Sequence, residues 1–263
     1  NMTDAAENSS QGYGSRQRLA DALERLKPAL LDGIYRSGHV SRRDFELLRS
    51  SGYLKEIIQG WHHVSSPVSP PGATVWQGHF FPFVSQYLSD RFDKDYCLSP
   101  EASLLLHAGV TSVPPQLTVM TLKASGATVK LPYGCSLLCY QEKGGLPEQT
   151  EIVSGIQVMP LIEALSRAPE GFFRNHHLSA ASLLATIRDI SPLLRLLLDR
   201  GASVFAGRIA GACQHIGRDD FSNRIISAFK ASGVEISEVN PFDREVPILK
   251  RERIASPYIA RIK

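Results

Sequence analysis

The amino-acid sequence predicts a protein of the α+β class. Three observations support this prediction. The first 66 residues combine helical periodicity with one hairpin signal. Residues 116–158 contain short apolar runs separated by glycines and prolines, which is typical of a small β-sheet. After Pro160 the apolar residues return to helical spacing, so the C-terminal part of the module is expected to be helical.

The first two helices are predicted from residues 16–37. Leucines and one isoleucine recur there at spacings of three and four, which gives a single apolar stripe. Pro28 is expected to divide the segment into two helices, because proline is tolerated in a first turn and disrupts a helix interior. Gly38 should end the second helix.

A third helix and a hairpin are expected next. Ser41 is a good N-cap, and Phe45 and Leu48 would form the inner face of the helix. Two short β-type runs then flank a Gln-Gly turn at residues 59–60. Three short helices followed by a hairpin indicate a winged helix-turn-helix over residues 15–66, in which the third helix enters the DNA major groove.

The candidate DNA-binding residues are those that point away from this inner face, together with one residue of the wing. They are Arg42, Arg43, Glu46, Arg49, Ser50 and Lys55. The segment 15–60 holds nine basic and six acidic residues, which is consistent with a polyanionic partner. Two alternatives remain open. The charged face is only solvated, or the wing holds a protein partner through Ile57, Ile58 and Trp61.

The rest of the chain divides by composition. We predict a disordered tail over residues 1–14, a Pro/Ser-rich linker over 67–72, an α+β module over 73–240 and a basic tail over 241–263. Within the module, the patterns predict an aromatic-rich helix at 74–92, a helix from Glu101, strands between 116 and 158, five helices between 161 and 232, and a last strand at 234–239.

Several function classes are excluded at this stage. No apolar run approaches the roughly 20 residues of a membrane span, so no membrane contact is expected and a cytoplasmic location is predicted. The sequence has no nucleophile elbow and no phosphate-binding glycine loop, so we expect no catalytic residues, no enzyme activity and no cofactor. Cys135 and Cys139 are interpreted as buried structural cysteines, so no metal site is predicted.

Several stretches are more specific than composition, and together they resemble the N-terminal region of bacterial Fic (filamentation induced by cAMP) family proteins. The resemblance runs from about residue 20 to the end of the chain. The winged-helix start followed by a β-rich module also resembles, more loosely, the AbiEi family of antitoxins. The stretches that carry the Fic resemblance are 90–109, 113–119, 131–137, 206–212, 216–218, 240–242 and 256–262.

This resemblance implies a regulatory role for the chain. Fic enzymes transfer AMP to protein hydroxyls with a His-Pro-Phe-x-(Asp/Glu)-Gly-Asn-Gly-Arg motif, which is absent here. The expected function is DNA binding, with transcriptional autoregulation or control of a downstream AMP-transferase (Fic) domain. The alternative is a protein-interaction module that restrains a toxin or recruits targets, as in toxin–antitoxin systems. The expected partners are double-stranded DNA and a downstream Fic domain or partner protein, and a homodimer is left open.

Overall fold

The computed structural model describes residues 2–68, 72–123, 127–142 and 144–242, with side chains from Gly14 onward. The fold is α+β, as predicted. The helices are α1 (Met2–Leu26), α2 (Arg42–Ser50), α3 (Gly72–Phe92), α4 (Pro100–His107), α5 (Leu161–Ser166), α6 (Glu170–Asn175), α7 (His177–Thr186), α8 (Ser191–Asp199), α9 (Ser203–His215) and α10 (Asp219–Ala231). The strands are β1 (Leu30–Leu31), β2 (Ile34–Arg36), β3 (Leu54–Ile58), β4 (Trp61–Val64), β5 (Tyr96–Leu98), β6 (Gln116–Thr121), β7 (Thr128–Lys130), β8 (Ser136–Gln141), β9 (Glu151–Val153) and β10 (Ile156–Val158).

The second predicted helix is wrong. The segment after Pro28 forms the antiparallel pair β1–β2, so the described part of residues 15–66 contains two α-helices rather than three, and it lacks the middle helix of the predicted winged helix-turn-helix. The physical reason is the Asp32-Gly33 turn, in which both residues have positive φ, at 49° and 76°. A two-residue hairpin turn of this kind favours Asp-Gly. Gly33 is also required by packing, because a Cβ there would lie 2.6 Å from His79 Nε2.

The disordered tail predicted over residues 1–14 is also wrong from residue 2 onward, because α1 begins at Met2. The segment between Met2 and Leu26 contains no proline, and its alanines and glutamates favour helix over the polar residues around them. The polar composition alone therefore gave the wrong expectation.

The N-terminal sheet has the strand order β1-β2-β4-β3 and is antiparallel throughout. The hairpin predicted at residues 59–60 is confirmed: it joins β3 to β4, and Gly60 has a φ of 85°. One face of this sheet packs against α1 and α2. Leu26, Tyr35, Leu48 and Leu54 form the buried centre of that cluster.

The opposite face of the same sheet packs against α3. Ile34, Ile57 and Trp61 belong to the buried cluster that also holds Trp76 and Phe83 of α3. The Trp61 and Phe83 rings meet edge to face, with centroids 5.7 Å apart. Residues 69–71 of the predicted linker lie outside the described residues. The segments before and after the linker nevertheless share one hydrophobic core.

The second sheet has the order β5-β6-β8-β7, and β9 and β10 form a separate hairpin. β6 and β8 are parallel, whereas the β5–β6 and β7–β8 pairs are antiparallel. The predicted strands between 116 and 158 are confirmed. The sequence analysis missed β5, whose three residues are too short for a period-two pattern.

The C-terminal helices follow the prediction closely, with one addition and one correction. α6 begins directly after Pro169, which occupies its N-cap position with a ψ of 153°. The strand predicted at 234–239 is wrong, because this segment crosses α9 as irregular chain. It lies so close to the helix that a Cβ at Gly207 or Gly211 would come within 2.0 Å of a backbone oxygen.

Of the basic tail predicted over 241–263, residues 243–263 lie outside the described residues. Within the described residues, every helix is too short or too polar to cross a lipid bilayer. The cytoplasmic location stays a prediction.

Candidate nucleic-acid interface

The candidate interface is built on α2, whose start is fixed by a side-chain cap. The Ser41 hydroxyl accepts a hydrogen bond from the Asp44 backbone amide at 3.1 Å, as the sequence predicts. Leu48 is fully buried and Phe45 partly buried, so these two residues turn one side of the helix toward the core. The opposite side is left for solvent or a partner.

A bidentate ion pair joins α2 to α1. The Arg25 Nε and Nη2 groups donate to the two carboxylate oxygens of Asp44, each at 2.9 Å. The hydrogen bond from Arg25 is the main reason that the pKa of Asp44 lies below its usual value, and the Ser41 hydroxyl lowers it further. The Asp44 carboxylate is thus paired with Arg25 of α1, and the neighbouring Arg43 also lowers the pKa of Asp44.

All six predicted DNA-binding residues are exposed in the structure. Arg49 Nη2 donates to Glu46 Oε2 at 3.0 Å, and both side chains are about half exposed, so this pair is open to exchange with an external anion. The Ser50 hydroxyl donates to the Leu47 carbonyl oxygen at 3.1 Å. The outward orientation inferred from helical spacing is therefore confirmed.

Arg42 and Arg43 occupy the first two positions of α2, which is an unfavourable place for cations. The N-terminal end of a helix carries partial positive charge, so basic residues there lose about 0.3–1 kcal/mol that an acidic residue would gain. Within the described side chains, neither arginine has an ion-pair partner, and the same holds for Lys55 on β3. A local rule broken without internal compensation is a common mark of a functional surface.

The sequence analysis missed Arg18 as a member of this surface. Its side chain lines a cleft of about 470 Å³ between α1 and the start of α2, together with Ser41 and Arg43. Arg18 Nε donates to the Gly14 carbonyl oxygen at 3.1 Å. The excess of basic residues in segment 15–60 indicated a basic surface. Only the packing of α1 on α2 shows which of these residues lie beside the outer face of α2.

The alternative binding surface predicted on the wing is wrong. Ile57 and Trp61 are 6% and 7% exposed, and they pack against α3 instead of facing a partner. Ile58 is partly buried beside the same cluster. A bulge at Ile57 interrupts the regular register between Glu56 and Ile58, which the sequence alone does not show.

Two buried histidines lie behind the candidate interface. His62 is 4% exposed and meets the Phe45 ring edge to face at 4.9 Å, while its Nδ1 has no hydrogen-bond partner. His63 Nδ1 donates to the Val64 carbonyl oxygen at 2.8 Å, and its ring stacks on His79 at 5.0 Å. Burial lowers the pKa of both His62 and His63, so both rings are neutral at pH 7.

These two histidines predict acid sensitivity. An unfolded histidine has a pKa of about 6.5, so below that pH the unfolded chain binds protons that the folded chain does not. The free energy of unfolding should therefore fall as the pH drops from about 6.5, by at most about 1.4 kcal/mol per pH unit for each imidazole. Urea unfolding of His62→Phe should show a shallower pH slope than the unmodified chain. The exposed His177→Gln control should keep the full slope, and equal slopes for all three proteins would contradict the prediction.

The four cysteines are buried and free, so nothing suggests that they react or bind metal together. Burial raises the pKa of Cys97 and of Cys213 to about 12, which keeps both thiols protonated at neutral pH. Within the described residues, no group of three or more histidine, cysteine or acidic side chains is arranged to hold a metal ion.

Comparisons with known proteins identified no relative of this chain. Searches of family models, curated proteins and solved structures found no match to this chain. The resemblances to Fic proteins and to AbiEi antitoxins therefore stay predictions from the sequence stretches that carry them.

Proposed function

We propose that this chain binds double-stranded DNA through α2 and the adjoining β3–β4 hairpin. The observation that carries the proposal is the exposed basic face at the start of α2, where Arg42 and Arg43 lack internal partners. α2 is the helix that would enter the major groove, and the hairpin with Lys55 would lie along the backbone as a wing. A nine-residue helix presents about two and a half turns, which is enough to reach several base pairs.

The charge distribution on α2 supports this proposal. Asp44 is paired with Arg25, and Glu46 is paired with Arg49, so both carboxylates of the helix are already neutralised. The remaining cations, Arg42, Arg43 and Lys55, are then available for phosphate oxygens. Arginine is also the residue that most often reads guanine in the major groove.

The regulatory part of the proposal depends on the sequence resemblance. If the chain is the N-terminal region of a Fic family protein, DNA binding by α2 would serve transcriptional autoregulation of the gene or control of an AMP-transferase domain that follows. The absence of a Fic catalytic motif in this sequence is consistent with a regulatory rather than an enzymatic role.

The direct test is a polarisation titration of the full chain against the DNA upstream of its own gene, at two salt concentrations. We expect measurable binding at low salt, with log K falling by about 0.9 per neutralised phosphate for each tenfold rise in salt. Binding to unrelated duplexes should be weaker. An absence of binding at low salt would reject the proposal.

A further inference from the structure

The C-terminal part of the fold contains a cavity of about 850 Å³ that none of the DNA-binding residues lines. One wall is the face of the second sheet, with Thr118, Met120 and Tyr140. The other walls are the start of α4 and the turn between α8 and α9. This volume falls in the range of about 300–1,000 Å³ that small-molecule sites occupy.

The cavity lies toward the carboxyl ends of the two parallel strands, β6 and β8. Met120 is the second-last residue of β6, and Glu142 directly follows β8.

One side of the cavity carries two arginines that share a single carboxylate. Glu163 of α5 forms an ion pair with Arg167, at 2.6 Å, and accepts a hydrogen bond from Arg200. The Glu163 side chain is 13% exposed, whereas those of Arg167 and Arg200 are 23% and 33% exposed and line the cavity. On this side of the cavity, two guanidinium groups against one carboxylate leave one positive charge in excess, whereas Glu101 and Glu142 bring two further carboxylates to the rest of the lining.

Both arginines retain donors for a ligand. Arg200 gives one contact from Nη1 to the Ser166 hydroxyl, at 2.6 Å, and one from Nη2 to Glu163. A guanidinium group has five N–H donors, so part of the fork is unused. The first turn of α9, at residues 203–205, forms the adjoining wall and adds the partial positive charge of a helix N-terminus.

The rest of the wall limits the ligand to one anionic group. Glu101 and Glu142 also line the cavity, and a polyanion would be repelled by them. Met120, Tyr140 and Phe205 supply apolar and aromatic surface. Burial raises the pKa of Tyr140, so its side chain is a neutral phenol. The complementary molecule has one carboxylate or phosphate head group and an apolar body.

We propose that this cavity binds a small organic acid, with its single anionic group against Arg167 and Arg200 and its apolar body against Met120, Tyr140 and Phe205. This ligand site is separate from the DNA-binding face. Its presence or absence does not depend on the outcome of the DNA titration, so the two proposals are tested independently.

Calorimetric titration of the full chain with four probes tests the proposal. The probes are phenylacetate, phenyl phosphate, inorganic phosphate and benzyl alcohol. At least one of the first two should bind with 1:1 stoichiometry, about tenfold more tightly than inorganic phosphate and benzyl alcohol, because only the first two have both an anionic head group and an apolar body. The preferred member of the first pair identifies the head group. Failure of both to saturate at about 10 mM, or equal binding of inorganic phosphate, would overturn the proposal.

Val204 provides a variant that does not disturb the core. It lies on the rim of the cavity, and it is 69% exposed. Val204→Glu should lower the affinity for the preferred probe by about tenfold, because the new carboxylate repels the anionic group of the probe. The matched control is Leu178→Glu, at a residue of α7 that is 76% exposed and does not line this cavity. The control should leave the affinity unchanged, and an equal loss in both variants would place the ligand elsewhere and overturn the proposal.

Discussion

Replacing Arg42 and Arg43 together by alanine should weaken the binding of double-stranded DNA and flatten its salt dependence. Each neutralised phosphate contributes about 0.9 to the slope of log K against log salt, so losing two contacts should reduce the slope by about 1.8. If one of the arginines reads a base edge, discrimination of about 1–3 kcal/mol at that base pair should disappear as well. Polarisation titrations at several salt concentrations measure both effects.

A matched control distinguishes the loss of direct contacts with DNA from the loss of two units of net charge. Arg188 and Arg195 are exposed and lie near α8, away from α2, and Arg195 is 83% exposed. The Arg188→Ala and Arg195→Ala double variant lowers the net charge by the same two units. It should retain nearly all of the affinity and slope, since long-range attraction between exposed charges is screened beyond about 10 Å. An equal loss in the two double variants would contradict a contact role for α2.

Gly211→Ala should destabilise the fold by about 1–3 kcal/mol, because it inserts a methyl group where no space exists. In an ordinary helix interior the same change stabilises a protein by about 0.5–1 kcal/mol, since glycine loses more backbone entropy on folding. Here the new Cβ would lie 2.0 Å from the Val239 carbonyl oxygen. The segment after α10 would have to leave α9, and with it the Phe242 ring that stacks on His215 at 4.7 Å.

Gly78→Ala is the control for this prediction. Gly78 lies in α3, is exposed, and has no atom within 4 Å of the position that a Cβ would take. The control should therefore be more stable than the unmodified chain in urea unfolding, whereas Gly211→Ala should be less stable. A Gly211→Ala protein at least as stable as the unmodified chain would contradict the close packing of residues 234–240 on α9.

Local chemistry was predictable where a cap or turn has its own residue signature. Ser41 caps α2, and the Gln-Gly turn joins β3 to β4, because each depends on only a few neighbouring residues. The exposed face of α2 followed from helical spacing alone. Spacing failed at residues 29–37, where Leu30 and Ile34 fit a helical stripe but the Asp32-Gly33 turn decides the structure. Ile34 and Tyr35 then face different clusters, as strand neighbours do.

Features that arise from distant packing were not predictable. The cavity joins residues from five separate segments, and no local pattern relates Thr118 to Arg200. The turn between α8 and α9 carried no phosphate-binding signature in the sequence, and Arg167, which lies far from it along the chain, approaches it only through the fold. Similarly, residues 234–239 have the composition of a strand, but no described strand lies beside them to accept their hydrogen bonds.

The contact of Ile57 and Trp61 with α3 has a geometric consequence for any DNA complex. A module on a free tether samples a volume set by the linker length, and it tolerates variable distances between binding sites. Here the hairpin beside α2 packs against α3 in a shared core, so α2 has a fixed direction relative to the rest of the protein. If two copies bind one operator, the spacing between half-sites is then set by the dimensions of the folded body, and inserting half a helical turn of DNA between them should abolish joint occupancy.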